Sequence, residues 1–214
     1  MRIDVRTVGP FQENCYLVVD EATNRAVLID PGDEGDRLVE MVRLSGATLE
    51  AIWITHAHLD HIGGIAGVRR HYAVPVHLHP LDLRLYTRLA VQSADVFGVP
   101  FEQPDGPDGE LAEGQVLSCG TLRFTVMHLP GHAPGLVSFT GEGVAFCGDL
   151  LFAGSIGRTD LPLCNPFDMD ASLDRFGTLP AETVVYPGHG AATTIADELR
   201  SNPFLAGRAR ALKR

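Results

Sequence analysis

The sequence predicts an α/β protein built as two β-sheets packed together with helices outside. Three observations carry this. Short apolar runs of strand length recur along the chain, bounded by turn-prone Gly, Pro, Asn and Asp. Between them lie stretches whose apolar residues return every three or four positions, the helical period. The order also echoes itself: each half runs strands, then a helix, then a strand. The halves meet at "PFEQPDGPDGELAEG", residues 100–114, a Pro-, Gly- and acid-rich loop. No tandem repeat of solenoid period accompanies this echo. Residues 1–214 are therefore expected to form a single domain of two pseudo-equivalent halves.

In order, "NCYLVVD" and "AVLID" read as strands joined by the turn "EATN". "DPGDEGDRLVEMVRLSG" reads as a turn and a helix, with Leu38, Met41, Val42 and Leu44 on roughly one face and Gly46 as the stop. "AIWIT" is a buried strand that delivers the chain into "HAHLDH". Gly63 and Gly64 open a helix over "IAGVRRHY", "VPVHLH" is a strand, and residues 80–97 read as a helix. After the loop come the strands "TLRFTVMHL", "LVSFT" and "VAFCGD", a helix at about 168–177, the strand and turn "TVVYPGHG", and a closing helix from about 193.

Composition excludes several functions. Apolar residues make up 45% and charged residues 21% of the chain, ordinary for a globular protein. The formal net charge is −10, and Lys and Arg cluster only in the final "RARALKR", which reads as a solvated helix end. A nucleic-acid partner is not expected. The start "MRIDVRTVGP" lacks the apolar centre of a signal peptide, and no apolar run approaches the length of a membrane span. Cys15, Cys119, Cys147 and Cys164 are scattered without a C-x-x-C pair, so they are expected to be reduced thiols and the protein cytoplasmic.

"THAHLDH", residues 55–61, concentrates metal-binding chemistry. Imidazole nitrogens and carboxylate oxygens are the ligands of borderline divalent ions such as zinc, iron and manganese. In extended chain His56 and His58 point to one side and can share an ion. Asp60 and His61 follow where the chain turns into a helix and can face a second point. Three further donors stand at strand exits beside glycine: His132 in "LPGHAPG", Asp149 in "AFCGDLLF" and His189 in "VVYPGHG". The other histidines read differently. His71 belongs to a solvated face beside Arg69 and Arg70, and His77 and His79 are assigned surface or capping roles. His128 is either a partner that orients a ligand or a hydrogen-bonded core residue.

These motifs resemble the metallo-β-lactamase superfamily. "THAHLDH", "PGHAPG", "FCGDLLF" and "YPGHG" occur in its order and rough spacing, and the resemblance runs from "VGPFQENCYLV" and "LIDPG" to "PGHG". Within it, "GDLLFAGSIGRTDLP" is most similar to the glyoxalase II (hydroxyacylglutathione hydrolase) branch, in its short single-domain type. The resemblance implies an αββα sandwich of two mixed sheets with the metals at one edge. It implies two divalent ions, zinc first and iron or manganese as alternatives. His56, His58 and His132 would hold one ion, Asp60, His61 and His189 the other, and Asp149 would bridge them. A histidine at His61 and an aspartate at Asp149 set the chain apart from most true β-lactamases. Longer glyoxalase II enzymes carry a helical C-terminal domain that helps bind glutathione. Few residues follow His189 here, so glutathione recognition is left open.

The expected reaction is hydrolysis of a small-molecule thioester, such as S-lactoylglutathione, by metal-bound hydroxide. A divalent ion lowers the pKa of bound water from 15.7 to about 7. A thiolate leaving group, with a parent pKa near 8.5, departs without a proton donor, and no separate general acid stands out. Asp60 would orient the nucleophile or take its proton. Arg158 would meet a substrate carboxylate or form a structural ion pair with Asp160 or with the neighbours of Asp149. Cys164 reads as a structural thiol. Two alternatives remain: a persulfide dioxygenase with one iron at the equivalents of His56, His132 and Asp149, and a binding module without activity.

Overall fold

The computed structural model describes residues 1–207 and 209–211. Of the basic tail, residues 208 and 212–214 lie outside the described residues. The first sheet holds β1 (Arg2–Val8), β2 (Glu13–Asp20), β3 (Arg25–Ile29), β4 (Thr48–Trp53), β5 (Val76–Leu78) and β6 (Gly109–Glu110), in that spatial order. β1, β2 and β3 pair antiparallel, while β3 to β6 run parallel. The second sheet contains β7 (Val116–Cys119), β8 (Leu122–His128), β9 (Val137–Gly141) and β10 (Val144–Gly148). A separate hairpin follows, β11 (Leu151–Phe152) with β12 (Ser155–Ile156), before β13 (Val184–Pro187) and β14 (Thr193–Thr194) complete the second sheet. Its order is β14-β13-β10-β9-β8-β7, and β10 and β13 are its parallel pair. The sheets divide just after residue 110, at the end of the Pro/Gly/acid loop.

Alternation along the strands builds the layers. In β2, Tyr16 and Val18 face the other sheet, where they join Val27, Ile29, Trp53, Phe124, Val126, Phe139 and Phe146. Cys15, Leu17 and Val19 point the opposite way, onto Leu38, Met41 and Val42 of α1 (Gly35–Ser45). Every residue of β2 is buried, as expected for a strand covered on both faces. α2 (Leu59–Ile62) and α3 (Ile65–Arg69) add Ile62, Ile65 and Val68 to that outer layer. α4 (Ala90–Phe97) follows. Across the molecule Met169, Leu173 and Phe176 of α5 (Pro166–Phe176) and Ile195 of α6 (Ile195–Ser201) cover Ala145, Cys147 and Val185. This is the αββα sandwich of two mixed sheets.

Local chemistry explains the boundaries. α1 stops at Gly46, whose φ of 71° is the left-handed cap that glycine favours. α5 starts at Pro166, earlier than the apolar period suggests, because the Asn165 side chain accepts from the backbone N–H of Phe167 and Asp168. Leu44 does not share the face of Leu38 and Met41. It is 64% exposed, since 3.6 residues per turn carries it round the helix from both. The helix expected over 80–97 is three pieces: a 3-10 turn at Pro80–Asp82, a wider π segment at Leu85–Leu89, and α4. Loop residues 109 and 110 form the edge strand β6.

Candidate metal centre

The seven donors expected from the sequence meet at one edge of the two sheets. Register explains why. Ile29 lies opposite Trp53, so β3 and β4 release the chain side by side. Gly148 lies opposite Pro187, so β10 and β13 do the same on the other sheet. Strand ends in parallel sheets are where such folds place ligands. His56 and His58 follow β4, Asp60 and His61 form the first turn of α2, and His132 follows β8. Asp149 follows β10 and His189 follows β13. Gly148 has a φ of 50°, and a Cβ there would meet Thr55 Oγ1 at 2.3 Å. At Gly188 a Cβ would stand 2.3 Å from Asp149 Oδ1.

The donors fall into two sets joined by one carboxylate. His58 Nδ1 lies 3.1 Å from His56 Nε2 and 2.8 Å from His132 Nε2. Asp60 Oδ2 lies 3.3 Å from His189 Nε2. In each of the sets His56/His58/His132 and Asp60/His61/His189, the candidate ligand atoms lie within 4.8 Å of one another. Asp149 stands between the sets: its Oδ1 is 3.3 Å from His61 Nε2, and its Oδ2 is 3.4 Å from His132 Nε2 and 3.5 Å from His189 Nε2.

The surroundings fit cations. His132 Nδ1 donates to the Arg158 carbonyl at 2.8 Å, which leaves its Nε2 as a lone pair facing the cluster. His61 Nδ1 lies 3.0 Å from Asp30 Oδ2, so its Nε2 likewise faces Asp149. His61 Nε2 and Asp149 Oδ1 are buried, and neither has a hydrogen-bond partner. Two such acceptors in contact require a positive charge between them. Without one, the imidazoles take it up as protons. Burial opposes a charged His61, but Asp149 and Asp30 hold its pKa well above the ordinary value. His189 is likewise pushed up to about 10, against burial, by Asp149 and Asp60. His58 goes the other way, down to about 3, through burial and His132.

Residues that the sequence reading did not assign hold the donors in place. Asp30, with a φ of 49°, accepts from Thr55 N at 2.7 Å and Thr55 Oγ1 at 2.5 Å as well as facing His61. "LIDPG" was the available signal, an acid at a strand exit before a turn. Asn14 and Tyr16 of β2 donate to the carbonyl of Pro187, and Asn14 also to that of Gly190, gripping the loop of His189. Glu13 is buried with both carboxylate oxygens unpaired, 4.0 Å from His61 Nδ1, and burial drives its pKa well up. Asp82 contacts both histidine-bearing loops.

The remaining predicted residues divide. His128 Nε2 donates to the Pro134 carbonyl at 2.9 Å and braces the loop of His132. His79 caps the 3-10 turn through Leu81 N and stacks on His128 at 4.2 Å. His71 is exposed, and His77 Nδ1 is buried against Gly109. Arg158 pairs with Asp160 through Nε and a terminal nitrogen, at 2.6 and 3.0 Å. Cys164 Sγ donates to the His132 carbonyl at 2.9 Å. All four cysteines are free thiols.

An αββα sandwich with histidines and aspartates gathered at the edge of its sheets defines a class of metal-dependent proteins. Residues 8–189 match the family model of the metallo-beta-lactamase superfamily, and the chain belongs to that superfamily. Its members are mostly metal-dependent hydrolases. The chain is 38% identical to hydroxyacylglutathione hydrolase GloC of Haemophilus influenzae, over 96% of this chain and 98% of that one. Among solved structures it resembles BLEG-1 B3 metallo-beta-lactamase, with a TM-score of 0.90 and 38% identity over 96% of this chain and 100% of that one. It also resembles TTHA1623 in a di-iron-bound form, with a TM-score of 0.88 and 46% identity over 94% and 100% of the two chains.

Proposed function

We propose that this protein is a binuclear metal-dependent thioester hydrolase of the glyoxalase II type, acting on a small molecule such as S-lactoylglutathione. The observation that carries the reading is the position of Asp149, in reach of His61, His132 and His189 at once. His56, His58 and His132 would hold one ion, Asp60, His61 and His189 the second, with Asp149 shared. Zinc is the first assignment. Iron is the alternative that a di-iron relative supports, and manganese suits the same donors. When bound, such ions supply a Lewis acid for the acyl carbonyl and make water nucleophilic at neutral pH.

The chain's own residues do the rest. Asp30 and the Arg158 carbonyl fix the ring orientations of His61 and His132. Asp60, 3.3 Å from His189, would orient the attacking water and accept its proton. A thiolate leaves unprotonated, which favours a thioester over an amide. The Arg158 guanidinium, exposed and turned to Asp160, reaches a substrate carboxylate by exchanging that partner. The whole of 1–214 would work as one domain, since both halves supply donors. Free thiols suit a cytoplasmic setting. Among the described residues no helix is long and apolar enough to cross a membrane.

The test is elemental analysis of purified protein together with three assays. Two metals per chain and S-lactoylglutathione hydrolysis without oxygen uptake are expected. One iron per chain with oxygen consumption on glutathione persulfide would replace this reading with the dioxygenase. Likeness to a B3 metallo-beta-lactamase supports a second reading, β-lactam hydrolysis, which a chromogenic β-lactam checks in the same preparation.

A further inference from the structure

Asp82 is a fully buried carboxylate in the 3-10 turn that follows β5. Its Oδ2 accepts from the backbone N–H of Ala57 at 2.9 Å, and its Oδ1 from that of Gly135 at 2.5 Å. Ala57 lies between His56 and His58, and Gly135 closes the Pro/Gly turn that carries His132. One side chain thus joins the two loops whose imidazoles stand 2.8 Å apart. Each N–H has its own oxygen, an arrangement that only an acceptor-only group satisfies. The fit is close: a Cβ at Gly135 would lie 2.8 Å from Asp82 Cγ. A second link, Val137 N–H to the Thr55 carbonyl at 2.9 Å, joins β9 to the exit of β4 at the residue before His56 and leaves the His58 and His132 ends of the two turns to Asp82.

We propose that Asp82 is a positioning residue that sets the spacing between the His56/His58 turn and the His132 turn, and so the geometry of the three-histidine metal site. The inference rests on the metal reading above. The apolar layer between the sheets and the Thr55–Val137 link do not involve position 82. Loss of the carboxylate therefore loosens the histidine triangle rather than the fold. Asparagine has nearly the same shape but only one acceptor, and its NH2 would face one of the two N–H groups.

The experiment uses Co2+ as probe on metal-stripped full-length protein, reading affinity by chelator competition and the d–d absorption of the bound ion. In Asp82→Asn, Co2+ affinity is expected to fall about 10- to 100-fold, with altered d–d bands and a far-UV spectrum like wild type. Asp20→Asn is the control for stability alone: it weakens a remote contact between the sheets and should retain wild-type affinity and bands. Gly135→Ala displaces the carboxylate from the other side and should reproduce the Asp82→Asn spectrum, which decides the matter if Asp82→Asn does not fold. Wild-type Co2+ affinity and bands in a folded Asp82→Asn or in Gly135→Ala overturn the proposal. A wild-type protein that binds no Co2+ would instead remove the metal reading, and this inference with it.

Discussion

At the scale of single residues, the centre is governed by how little room its donors have. Gly188 shows this: an added methyl would stand 2.3 Å from Asp149 Oδ1 and 2.7 Å from His61 Cε1. Gly188→Ala is therefore expected to lower metal content to below one ion per chain and kcat/KM by about 100-fold, a loss on the scale of a 1 Å misplacement. Inductively coupled plasma analysis and steady-state kinetics measure the two effects. Asp149→Ala should cost both ions, because its two oxygens face His61 and His189 of one donor set and His132 of the other. His189→Ala should cost only one. Equal metal loss in these two variants would refute the shared role of Asp149. The sequence announces these seven residues through residue type and glycine neighbours. It says far less of Asp30 and Asp82, whose contribution depends on backbone N–H groups and rings that only folding brings near.

At the scale of elements, the two sheets are tied at the end away from the donors by Asp20. Its carboxylate accepts from Thr23 Oγ1 within its own turn and from Thr121 N and Oγ1, at 2.7 and 2.9 Å, in the β7–β8 turn of the opposite sheet. These bonds favour the charged form and hold its pKa well below the usual carboxylate range. A depressed folded-state pKa means stability that is present above the unfolded value, about 3.9. That stability is lost as pH falls through the folded value. Asp20→Asn should lower the urea midpoint at pH 7, and the gap from wild type should narrow as the pH drops below 4. A gap that is constant with pH would show that the charge plays no part. β2, β3, β4, β8, β9, β10 and α1 were legible from period and turn residues, and α5 and α6 to within two residues at their starts, whereas β1 and β7 were not read as strands. β11, β12 and β14, two residues each, were not, because a pair of residues carries no period.

At the scale of the whole molecule, stability comes from the layer between the sheets and from the cluster at their edge. Phe124 is fully buried there, packed against Trp53 and Phe146. Phe124→Ala should cost about 3–5 kcal/mol, read from urea unfolding. Chelation should destabilise the protein by the free energy of metal binding, about 2.7 kcal/mol at a free ion concentration 100-fold above Kd. Calorimetry with and without chelator checks it, and an unchanged Tm would contradict a cation at the orphaned His61 and Asp149 atoms. The sandwich of two sheets and the seven candidate donors were legible in the sequence, since hydrophobic period and residue type are local properties that survive in the unfolded chain. Tertiary structure alone decided the Asp82 link between the histidine turns and the contacts of Asp30 with Thr55 and His61. Those depend on strand register and loop packing, which bring together residues far apart in the chain.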